Sequence, residues 1–449
     1  MQLIIDKRSI SGWGRYPVRD CNIFDVDLPP DNINNFTGFN SFIARGMGRS
    51  YGDAALADDN SLVINTLHLD KFLSFDKQKG IIKVQAGVTL STILDIIIPR
   101  GWFLPVVPGT RMITLGGALA SNVHGKNHHN SGAIENFVLE FDILTEKGVI
   151  TCSRQNYTEL FFATIGGLGL TGIILNATLS LKSIETAYVT SRLIKVKNFE
   201  EALLISKEND QNYEYSVTWV DCLAKGKNLG RGIVMLGNHT KSCELQKKSV
   251  HLSNRWKRAY SFPEVFPNWL LNSLSIKMFN FGFYNKQLFK DKIIQSDFET
   301  YFFPLDFFSN WNALYGKQGF IQYQFAVPFE NGNQAVKEAL EFLSLKKIGS
   351  FLAVLKIVKE DTVLLPFAVP GFTLALDIPM LKREVLSYME ELDHIVIKYG
   401  GRVYLTKDSR LNPENFKKMY PDITGFNAAL IKYAPNKKFQ SLLSKRLKL

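Results

Sequence analysis

The sequence predicts an α+β fold that is divided into two domains. Its first 190 residues mix short β runs with short helical stretches, and three glycine-rich segments lie between residues 44 and 172. Beyond about residue 190 the glycine clusters stop, and longer strands alternate with longer helices. The length of 449 residues agrees with this division, because a domain typically holds about 150 residues.

The first domain is predicted from short local patterns. Strands are expected at 62–66 and 80–87, and the apolar spacing of 88–98 is that of an amphipathic helix. Residues 137–152 are expected to form a hairpin that turns at Glu-Lys-Gly. A helical pattern at 157–164 then leads into the third glycine segment.

The second domain is predicted from longer patterns. A strand is expected at 191–197, a helix at 198–209 and a further strand at 213–221. The chain ends in a basic amphipathic stretch at 437–449, which we expect to be a solvated helix rather than a membrane anchor.

Composition and charge restrict the class of protein. The chain is 46% hydrophobic and 21% charged, which excludes a disordered or collagen-like protein. Its net charge of +11 favours an anionic partner: nucleic acid, an acidic membrane surface or a phosphorylated small molecule. The four cysteines form no CxxC pair, so neither a zinc knuckle nor a thioredoxin motif is expected. We expect free thiols in a reducing compartment.

Two apolar segments bear on localisation. The amino-terminal apolar run is broken by Asp6, Lys7 and Arg8, so no secretory signal is predicted. The uncharged stretch 160–181 is long enough to cross a bilayer, but its four glycines and partial alternation favour a strand. We therefore expect a cytoplasmic protein, either soluble or peripheral at the inner face of a membrane.

A segment rich in aromatic residues lies in the second half of the chain. Fifteen of the 50 residues in 262–311 are aromatic, against 12% for the whole chain. A basic stretch precedes it, with Lys241, Lys247, Lys248, Arg255, Lys257 and Arg258. One interpretation is an aromatic core under a solvated basic face; the other is a surface that rests on lipid or holds a long apolar ligand.

The glycine segments indicate a cofactor with a pyrophosphate. They are 44–53, 108–129 and 166–172, and they carry interleaved Arg, Ser, Thr and Asn. Glycine lets backbone N–H groups close around phosphate oxygens, and Arg45 and Arg49 add positive charge. The third segment contains a literal G-x-G-x-x-G, but it follows a helix and opens a strand, which is the wrong context for a Rossmann fingerprint.

Three of the seven histidines fall in one hexapeptide of the second glycine segment. His124, His128 and His129 have neither carboxylates nor cysteines beside them, so a polar active-site loop is favoured over a metal site. On a strand, His128 and His129 would point to opposite faces, and at most one of them is expected to enter the site.

Three strings then carry a resemblance to a known family: ARGMGRSYGDAA, PVVPGTRMITLGGALASNVHGKNHH and TIGGLGLTGII. They resemble the FAD-binding half of the vanillyl-alcohol-oxidase flavoprotein family, and within it the subgroup that oxidises a polyprenyl-phosphoryl-ribose. The resemblance resumes at 304–325, 370–379, 400–411 and 418–421, so it covers nearly the whole chain. The strings HGKNHH and YLTKDSR are the most specific to the subgroup.

The resemblance implies a two-part FAD-binding domain of the vanillyl-alcohol-oxidase (PCMH) type. An α+β substrate domain, built on an antiparallel sheet, is inserted into it. The implied boundaries are 1–190 for the FAD-binding domain, 191–400 for the substrate domain, and 401–449 for a segment that completes the first domain and the active site.

The resemblance also implies the roles of individual residues. Lys407, His124 and Tyr51 are the implied catalytic residues. The implied FAD-binding residues are Arg45, Gly46, Gly48, Arg49, Ser50, Tyr51, Gly52, Pro108, Gly109, Thr110, Gly116, Gly117, Ala120, Ser121, Asn122, His124, Gly125, Asn127, His128, Gly167, Gly172, Ile173, Tyr404 and Lys407. The implied substrate-binding residues are Trp219, Gln322, Gln324, Lys356, Thr373 and Lys407.

Not every position follows the family pattern. Many relatives attach flavin covalently through a His in the first glycine segment; Arg49 stands there in this chain, so FAD is expected to be non-covalent. In the subgroup's string P-G-W-N-x-C-x-D, Thr373 stands here in place of the Asn and Ala375 in place of the Cys. These changes put the detailed substrate contacts in doubt.

The implied reaction is oxidation of the C2 hydroxyl of a polyprenyl-phosphoryl-β-D-ribose to a 2-keto sugar. A separate NAD(P)H-dependent short-chain reductase is the expected partner, which would complete epimerisation to arabinose. The first alternative is an FAD-dependent oxidase or dehydrogenase of a soluble sugar or aldonolactone. The second is a non-enzymatic binder of nucleic acid or membrane, but no nucleic-acid-binding signature supports it and no nucleic acid is expected.

Overall fold

The computed structural model describes residues 4–36, 38–246, 251–253, 256–263, 271–380 and 384–449. Its amino-terminal half alternates short strands and short helices. In chain order these are β1 (Asp6–Ser11), β2 (Val18–Asp25), β3 (Ser41–Arg45), β4 (Ser61–Asn65), β5 (Phe72–Asp76), β6 (Ile81–Gln85), α1 (Leu90–Ile97), β7 (Trp102–Phe103), α2 (Leu115–Ala120), α3 (His128–Ser131), β8 (Val138–Thr145), β9 (Gly148–Ser153), α4 (Thr158–Thr164), β10 (Ile173–Ser180) and β11 (Lys182–Ser183).

These strands form two main sheets. The first has the order β1-β2-β4-β3, in which β2 and β3 run parallel to β4. The second is antiparallel with the order β5-β6-β10-β8-β9. The predicted hairpin is confirmed as β8 and β9, with Thr145 paired to Gly148 across a two-residue turn. The short strands β7 and β11 pair separately.

The middle of the chain forms one large antiparallel sheet with covering helices. The order β15-β12-β14-β13-β17-β18-β16-β19 is antiparallel throughout. The elements are β12 (Tyr188–Val196), α5 (Phe199–Glu208), β13 (Tyr215–Val220), β14 (Gly232–His239), α6 (Ser273–Lys286), β15 (Asp291–Asp297), α7 (Phe298–Phe302), β16 (Phe320–Pro328), α8 (Phe329–Lys346), β17 (Ala353–Val358), β18 (Gly371–Pro379), α9 (Glu384–Lys398) and β19 (Arg402–Val403).

The two faces of this eight-stranded sheet have different neighbours. Helices α5, α8 and α9 pack on one face, where Ile194, Val234 and Ala202 belong to one buried cluster. The alternate side chains of the strands point to the other face and line a cavity. They are Ser191, Leu193, Val217, Trp219, Met235, Ile294, Ser296, Gln322, Gln324, Val354, Lys356, Ala375 and Asp377. Alternation along each strand thus separates a packed face from an open one.

The carboxyl-terminal segment returns to the amino-terminal half. It contains α10 (Pro413–Met419), α11 (Thr424–Tyr433) and α12 (Leu442–Leu447), and α11 packs against α4. The backbone on either side of Phe439 bonds to Phe42 of β3, through Phe42 N–H to Lys438 O (2.6 Å) and Gln440 N–H to Phe42 O (2.9 Å). On this ground we propose that 401–449 completes the first domain, with boundaries at residues 190 and 400.

The predicted α+β class is confirmed, and two local expectations change. The stretch 160–181 is split between α4 and β10, and within the described ranges no helix is long and apolar enough to cross a membrane. His128 and His129 lie on α3 and not on a strand, and both are buried. Lys247, Lys248 and Arg255 of the basic stretch lie outside the described residues, as do Phe266 and Trp269 of the aromatic segment.

Candidate active site

A large cavity lies between the glycine segments and the open face of the eight-stranded sheet. Its volume is about 1140 Å³, which exceeds the roughly 300–1,000 Å³ of a cleft that holds one small ligand. Residues from all three glycine segments, from the sheet and from the loop before α10 line it. The cavity therefore has room for a cofactor and a substrate side by side.

Most of the predicted site residues line this cavity. They are Arg45, Gly46, Gly48, Arg49, Ser50, Tyr51, Pro108, Gly109, Thr110, Gly116, Gly117, Ala120, Ser121, His124, Gly125, Gly172, Trp219, Gln322, Gln324, Lys356, Tyr404 and Lys407. Gln322 and Gln324 share one face of β16, as their spacing predicts.

Seven predicted residues lie behind the wall instead: Gly52, Asn122, Asn127, His128, Gly167, Ile173 and Thr373. Their polar groups are used inside the protein. Asn127 Nδ2 donates to Pro105 O (2.8 Å), and His128 Nδ1 accepts from Lys359 N–H (3.0 Å). Thr373 Oγ1 accepts from Gln324 Nε2 (3.2 Å). The structure thus assigns this set to the support of the wall and not to its surface.

The first glycine segment combines close backbone approaches with fixed arginines. Gly48 has a φ of +62°, the left-handed region that favours glycine. Arg45 donates to Ser11 O (2.7 Å) and Ala55 O (3.2 Å), and the Arg49 guanidinium lies 3.7 Å from the centroid of the Trp13 ring. This loop can wrap a diphosphate with backbone N–H groups and positive charge, so the residues present fit a dinucleotide cofactor.

An ion cluster joins the second glycine segment to the aromatic segment. Arg111 N–H donates to Asp306 Oδ2 (2.8 Å), and Arg111 Nη1 donates to Glu299 Oε1 (3.0 Å). The Arg111 guanidinium also lies 4.0 Å from the centroid of the Trp256 ring. These groups are buried and each charge has an opposite partner, an arrangement that keeps a buried ion cluster stable, although Arg111 Nε has no hydrogen-bond partner among the described residues. They fix the wall of the cavity between the two halves of the chain.

Lys407 is held against the first glycine segment. Its Nζ lies 4.0 Å from the centroid of the Tyr51 ring, and Tyr51 N–H donates to Thr406 O (3.2 Å). Arg446 reinforces this contact from α12, since it bonds to Asp53 (2.7 Å) on one side and to Asp408 (2.8 Å) on the other. The lysine and the tyrosine therefore have a fixed relative position.

A buried carboxylate that was not predicted completes this polar cluster. Asp377 is 1% exposed, lines the cavity and accepts a hydrogen bond from Gln322 Nε2. Burial raises the pKa of Asp377 to about 7, against the opposing effects of Gln322 and Lys407. Burial lowers the pKa of Lys407 to about 8, and Asp377 counteracts that shift. A carboxyl and an ammonium whose pKa values both lie near neutrality can take up and release protons during a reaction.

His124 belongs to a second polar group in the same cavity. Lys356 Nζ donates to its Nδ1 (3.0 Å), and its Nε2 lies 3.1 Å from the side-chain amide nitrogen of Gln324. Burial first, and then the charge of Lys356, hold the pKa of His124 well below its usual range. The imidazole is therefore neutral at pH 7 and acts as a hydrogen-bonding group.

Aromatic and aliphatic side chains close the far end of the cavity. The described ones from the aromatic segment are Phe262, Leu271, Phe279, Phe283, Tyr301, Phe302, Pro304, Leu305, Phe308 and Trp311. The predicted Trp219 is 4% exposed, and its ring centroid lies 4.6 Å from that of Phe283. Phe298 and Phe303 are buried core residues and do not line the cavity. Each interpretation of this segment thus describes part of it: some rings form core, and others line the cavity.

The chain is similar to FAD-dependent oxidoreductases. Residues 40–153 match the model of an FAD binding domain, and residues 315–447 match that of D-arabinono-1,4-lactone oxidase. A decaprenylphosphoryl-β-D-ribose oxidase from Mycolicibacterium smegmatis is 34% identical, over 98% of this chain and 98% of that protein. The chain belongs to the decaprenylphosphoryl-β-D-ribose oxidase family. It is an FAD-dependent oxidoreductase with an FAD-binding domain of the PCMH type.

Other relatives are similar over shorter stretches. The mitochondrial L-galactono-1,4-lactone dehydrogenase of Arabidopsis thaliana is 28% identical over 45% of this chain and 34% of its own length. Cytokinin dehydrogenase 2 of the same plant is 34% identical over 31% of this chain and 27% of its own length. This chain is thus similar, over less than half of its length, to oxidoreductases of other names.

We expect the flavin of this family member to be non-covalent. The segment 44–53 contains neither His nor Cys, and Arg49 is engaged with Trp13. Acid precipitation of the purified yellow protein is expected to leave FAD in the supernatant, as measured by absorbance at about 450 nm. Flavin that stays with the precipitated polypeptide after repeated washing would contradict this expectation.

Proposed function

We propose that the chain oxidises the C2 hydroxyl of a polyprenyl-phosphoryl-β-D-ribose to the 2-keto sugar, as the first half of an epimerisation to arabinose. The observation that carries the proposal is that one cavity joins a polar cluster, around Lys407 and Asp377, to an aromatic wall. A sugar fits the first and a prenyl chain fits the second. The name of the Mycolicibacterium smegmatis relative points to the same substrate class.

The glycine segments are proposed to hold FAD. The pyrophosphate would lie against the loop of Arg45 and Gly48 and the segment from Pro108 to Gly117, all of which reach the cavity. When bound, FAD supplies the hydride acceptor that oxidation of a secondary alcohol requires. Tyr404 supports this side from the sheet, since its hydroxyl donates to Ser121 O.

The chain's own residues position the alcohol and remove its proton. The Lys407 ammonium orients the reacting hydroxyl, because it is fixed over Tyr51 and reaches the cavity. The Asp377 carboxylate accepts the hydroxyl proton, and Gln322 holds that carboxylate in place. Gln322 and Gln324 face the sugar from one strand, where paired amides can read its other hydroxyls. Exclusion of water by the aromatic wall strengthens each of these polar contacts.

The proposal is tested by product analysis. The holoenzyme is incubated with an artificial electron acceptor and, in parallel, with a short-chain prenyl-phosphoryl-ribose and its arabinose epimer. A 2-keto product identified by mass spectrometry after borodeuteride reduction, with the label at C2, is expected from the ribose compound. The proposal would be contradicted if neither prenyl-phosphoryl pentose gave a labelled product.

Oxidation of a soluble aldonolactone is the second candidate function. The match of residues 315–447 to the D-arabinono-1,4-lactone oxidase model favours it. A lactone has no apolar chain, however, and the wall formed by Phe279, Phe283 and Phe308 would then have no ligand. Turnover of arabinono- or galactono-1,4-lactone that exceeds turnover of every prenyl-phosphoryl sugar would select this candidate instead.

Two partners belong to the proposal. The keto product requires an NAD(P)H-dependent short-chain reductase to complete epimerisation, and the lipid-linked substrate requires access to a membrane.

Helix α6 offers a contact for the membrane. It lines the cavity through Phe279 and Phe283 and presents Leu274, Met278 and Phe281 outward, 65%, 67% and 58% exposed. These three share one helical stripe because they are four and three residues apart.

The outward stripe of α6 is expected to bind anionic lipid vesicles. Exposed Lys277 and Lys286 lie on the same helix, and exposed Lys290 and Lys292 follow it in the chain. An apolar stripe with basic neighbours is the chemistry of a peripheral membrane contact. The triple variant Leu274→Ser, Met278→Ser, Phe281→Ser is expected to lower co-sedimentation with phosphatidylglycerol-containing vesicles by about tenfold or more.

The control for the vesicle measurement removes equally exposed apolar residues elsewhere. Leu345→Ser and Ile431→Ser change side chains that are 73% and 74% exposed on α8 and α11. They should leave co-sedimentation unchanged. Equal losses in the control and the triple variant, or none in the triple variant, would contradict a membrane contact through α6. The predicted cytoplasmic location at the inner membrane face is part of this proposal.

A further inference from the structure

We infer that Lys126, together with Lys356, forms a subsite for the phosphate of the substrate, between the sugar site and the aromatic wall. The inference deepens the proposed function and rests on it. Lys126 lies in the same hexapeptide as His124, His128 and His129. The structure places it in the wall of the cavity, as it does Lys356 and Lys407.

The charges that line the cavity are unbalanced. Five basic side chains reach it: Arg45, Arg49, Lys126, Lys356 and Lys407. Among the described lining residues the single carboxylate is Asp377, and it acts on Lys407. The arginines belong to the first glycine segment, beside the proposed cofactor pyrophosphate. Lys126 and Lys356 therefore remain on the sheet side without a compensating negative charge among the described residues.

The ammonium of Lys126 is fixed by the backbone around it. Its own carbonyl accepts from Ser216 N–H (2.8 Å), which ties the residue to β13. Its Nζ donates to Tyr301 O and lies 4.3 Å from the centroid of the Tyr301 ring. These contacts occupy one of the three N–H donors of the Lys126 ammonium, and none of them is with a negatively charged group. The other donors are available to an anion in the cavity.

Lys356 is within electrostatic reach of both Lys407 and Lys126. The charges of both act on it, and burial together with them lowers the pKa of Lys356 to about 7. Burial alone lowers the pKa of Lys126 to about 7. An anion beside the two lysines would restore their charged forms, because an opposite charge favours ionisation. Isolated buried lysines are costly, and a phosphate offsets that cost.

The order of groups in the cavity matches the order of groups in the proposed substrate. Lys407 and Gln322 form the sugar end, and Tyr301 and Phe302, beside Lys126, begin the aromatic wall. A phosphate that connects a sugar to a prenyl chain would lie between these ends. Lys356 is influenced by the charges of Lys407 and Lys126, and Lys126 adjoins Tyr301, so we infer that the two lysines span the interval between these ends. A neutral sugar ether or a free sugar would leave them uncompensated.

The test compares binding of a charged and a neutral lipid to the holoenzyme. Farnesyl phosphate, farnesol and inorganic phosphate are titrated, and binding is measured by isothermal calorimetry and by the change in the flavin absorbance. The wild-type protein is expected to bind farnesyl phosphate about tenfold or more tightly than farnesol. Lys126→Met is expected to weaken the binding of farnesyl phosphate by about 10- to 100-fold, as the loss of a charge-assisted hydrogen bond predicts. The affinity for farnesol should be unchanged.

Two further variants keep the result interpretable. Lys126→Arg retains the charge and should keep the preference for farnesyl phosphate. Lys227→Met removes an exposed lysine between β13 and β14, outside the cavity, and should change nothing. Inorganic phosphate that competes with farnesyl phosphate in the wild type but not in Lys126→Met would also support the subsite.

Three outcomes would overturn the inference. They are equal binding of farnesyl phosphate and farnesol by the wild type, an unchanged preference in Lys126→Met, and a loss of FAD affinity in Lys126→Met, which would assign the lysine to the cofactor. Oxidation of a prenyl-phosphoryl-ribose without this preference refutes the subsite and leaves the proposed function. The preference without oxidation refutes the proposed function and leaves an anion subsite.

Discussion

Lys407→Met is expected to lower kcat/KM for a prenyl-phosphoryl-ribose by about 100- to 1000-fold, the usual cost of removing a preorganised electrostatic group from an active site. Methionine keeps the length of the side chain and removes its charge. The Lys407 ammonium lies over the Tyr51 ring and is electrostatically coupled to Asp377, so its loss leaves the reacting hydroxyl without an orienting donor. The measurement is the rate of flavin reduction in a stopped-flow instrument.

The control for this variant is Lys418→Met, which removes an exposed lysine on α10 in the same carboxyl-terminal segment. It should reduce flavin at the wild-type rate. FAD content is measured for both variants, so that weaker cofactor binding is separated from slower chemistry. A Lys407→Met protein with a full complement of FAD and a rate within threefold of the wild type would remove Lys407 from the reaction.

Asp377→Asn is the variant with the second largest expected effect, about 100-fold or more in kcat/KM, because a positioned base typically contributes 10²–10⁴-fold. The folded-state pKa of Asp377 is raised to about 7, so the carboxyl is protonated below that pH and ionised above it. Only the ionised form can accept the hydroxyl proton. The wild-type rate is therefore expected to rise with pH through about 7, and to fall above about 8 as Lys407 loses its proton.

In Asp377→Asn the rise through pH 7 should disappear, while the fall should be retained and displaced to lower pH, because the carboxylate no longer raises the pKa of Lys407. The measurement is the pH dependence of flavin reduction with saturating and limiting substrate. A variant that keeps the rising limb and most of its rate would show that another group accepts the proton.

Asp377 also shows where prediction from sequence ended. Gln322 and Gln324 could be assigned to one face, because alternation along a strand is local. Asp377 lies opposite Gln322 only through the pairing of β16 with β18, 55 residues apart in the chain. One signal was present: Asp377 ends the family string whose Asn and Cys positions are Thr373 and Ala375. Asp377 is a position of that string that this chain retains.

All three glycine segments reach the cavity, although five of their predicted residues lie behind its wall. Their conformations are set by short-range requirements, such as the positive φ of Gly48. His128 and His129 were misplaced because a strand was assumed, whereas α3 buries both behind the wall. Lys126 and Arg446 gained a function only when distant segments were brought together, Ser216 beside the first and Asp408 beside the second. Contacts of this kind cannot be derived from one local pattern.

The departures at β18 have a consequence for inhibitors. Ala375 lines the cavity where the subgroup string has a cysteine, and Thr373 lies behind the wall and bonds to Gln324. Without that thiol, reagents that require it have no partner at this position, whereas hydride transfer does not depend on it in the proposed scheme. The polar cluster of Lys407, Asp377 and Gln322 is independent of both substitutions.

Anaerobic reduction of the bound flavin tests the central proposal most directly. The holoenzyme is mixed without oxygen with a short-chain prenyl-phosphoryl-ribose, the corresponding prenyl-phosphoryl-arabinose, free ribose and galactono-1,4-lactone, and absorbance at about 450 nm is followed. Stoichiometric bleaching by the prenyl-phosphoryl-ribose, with slow or no bleaching by free ribose and the lactone, is the predicted result. Bleaching by the lactone alone, or by none of the four, would contradict the account.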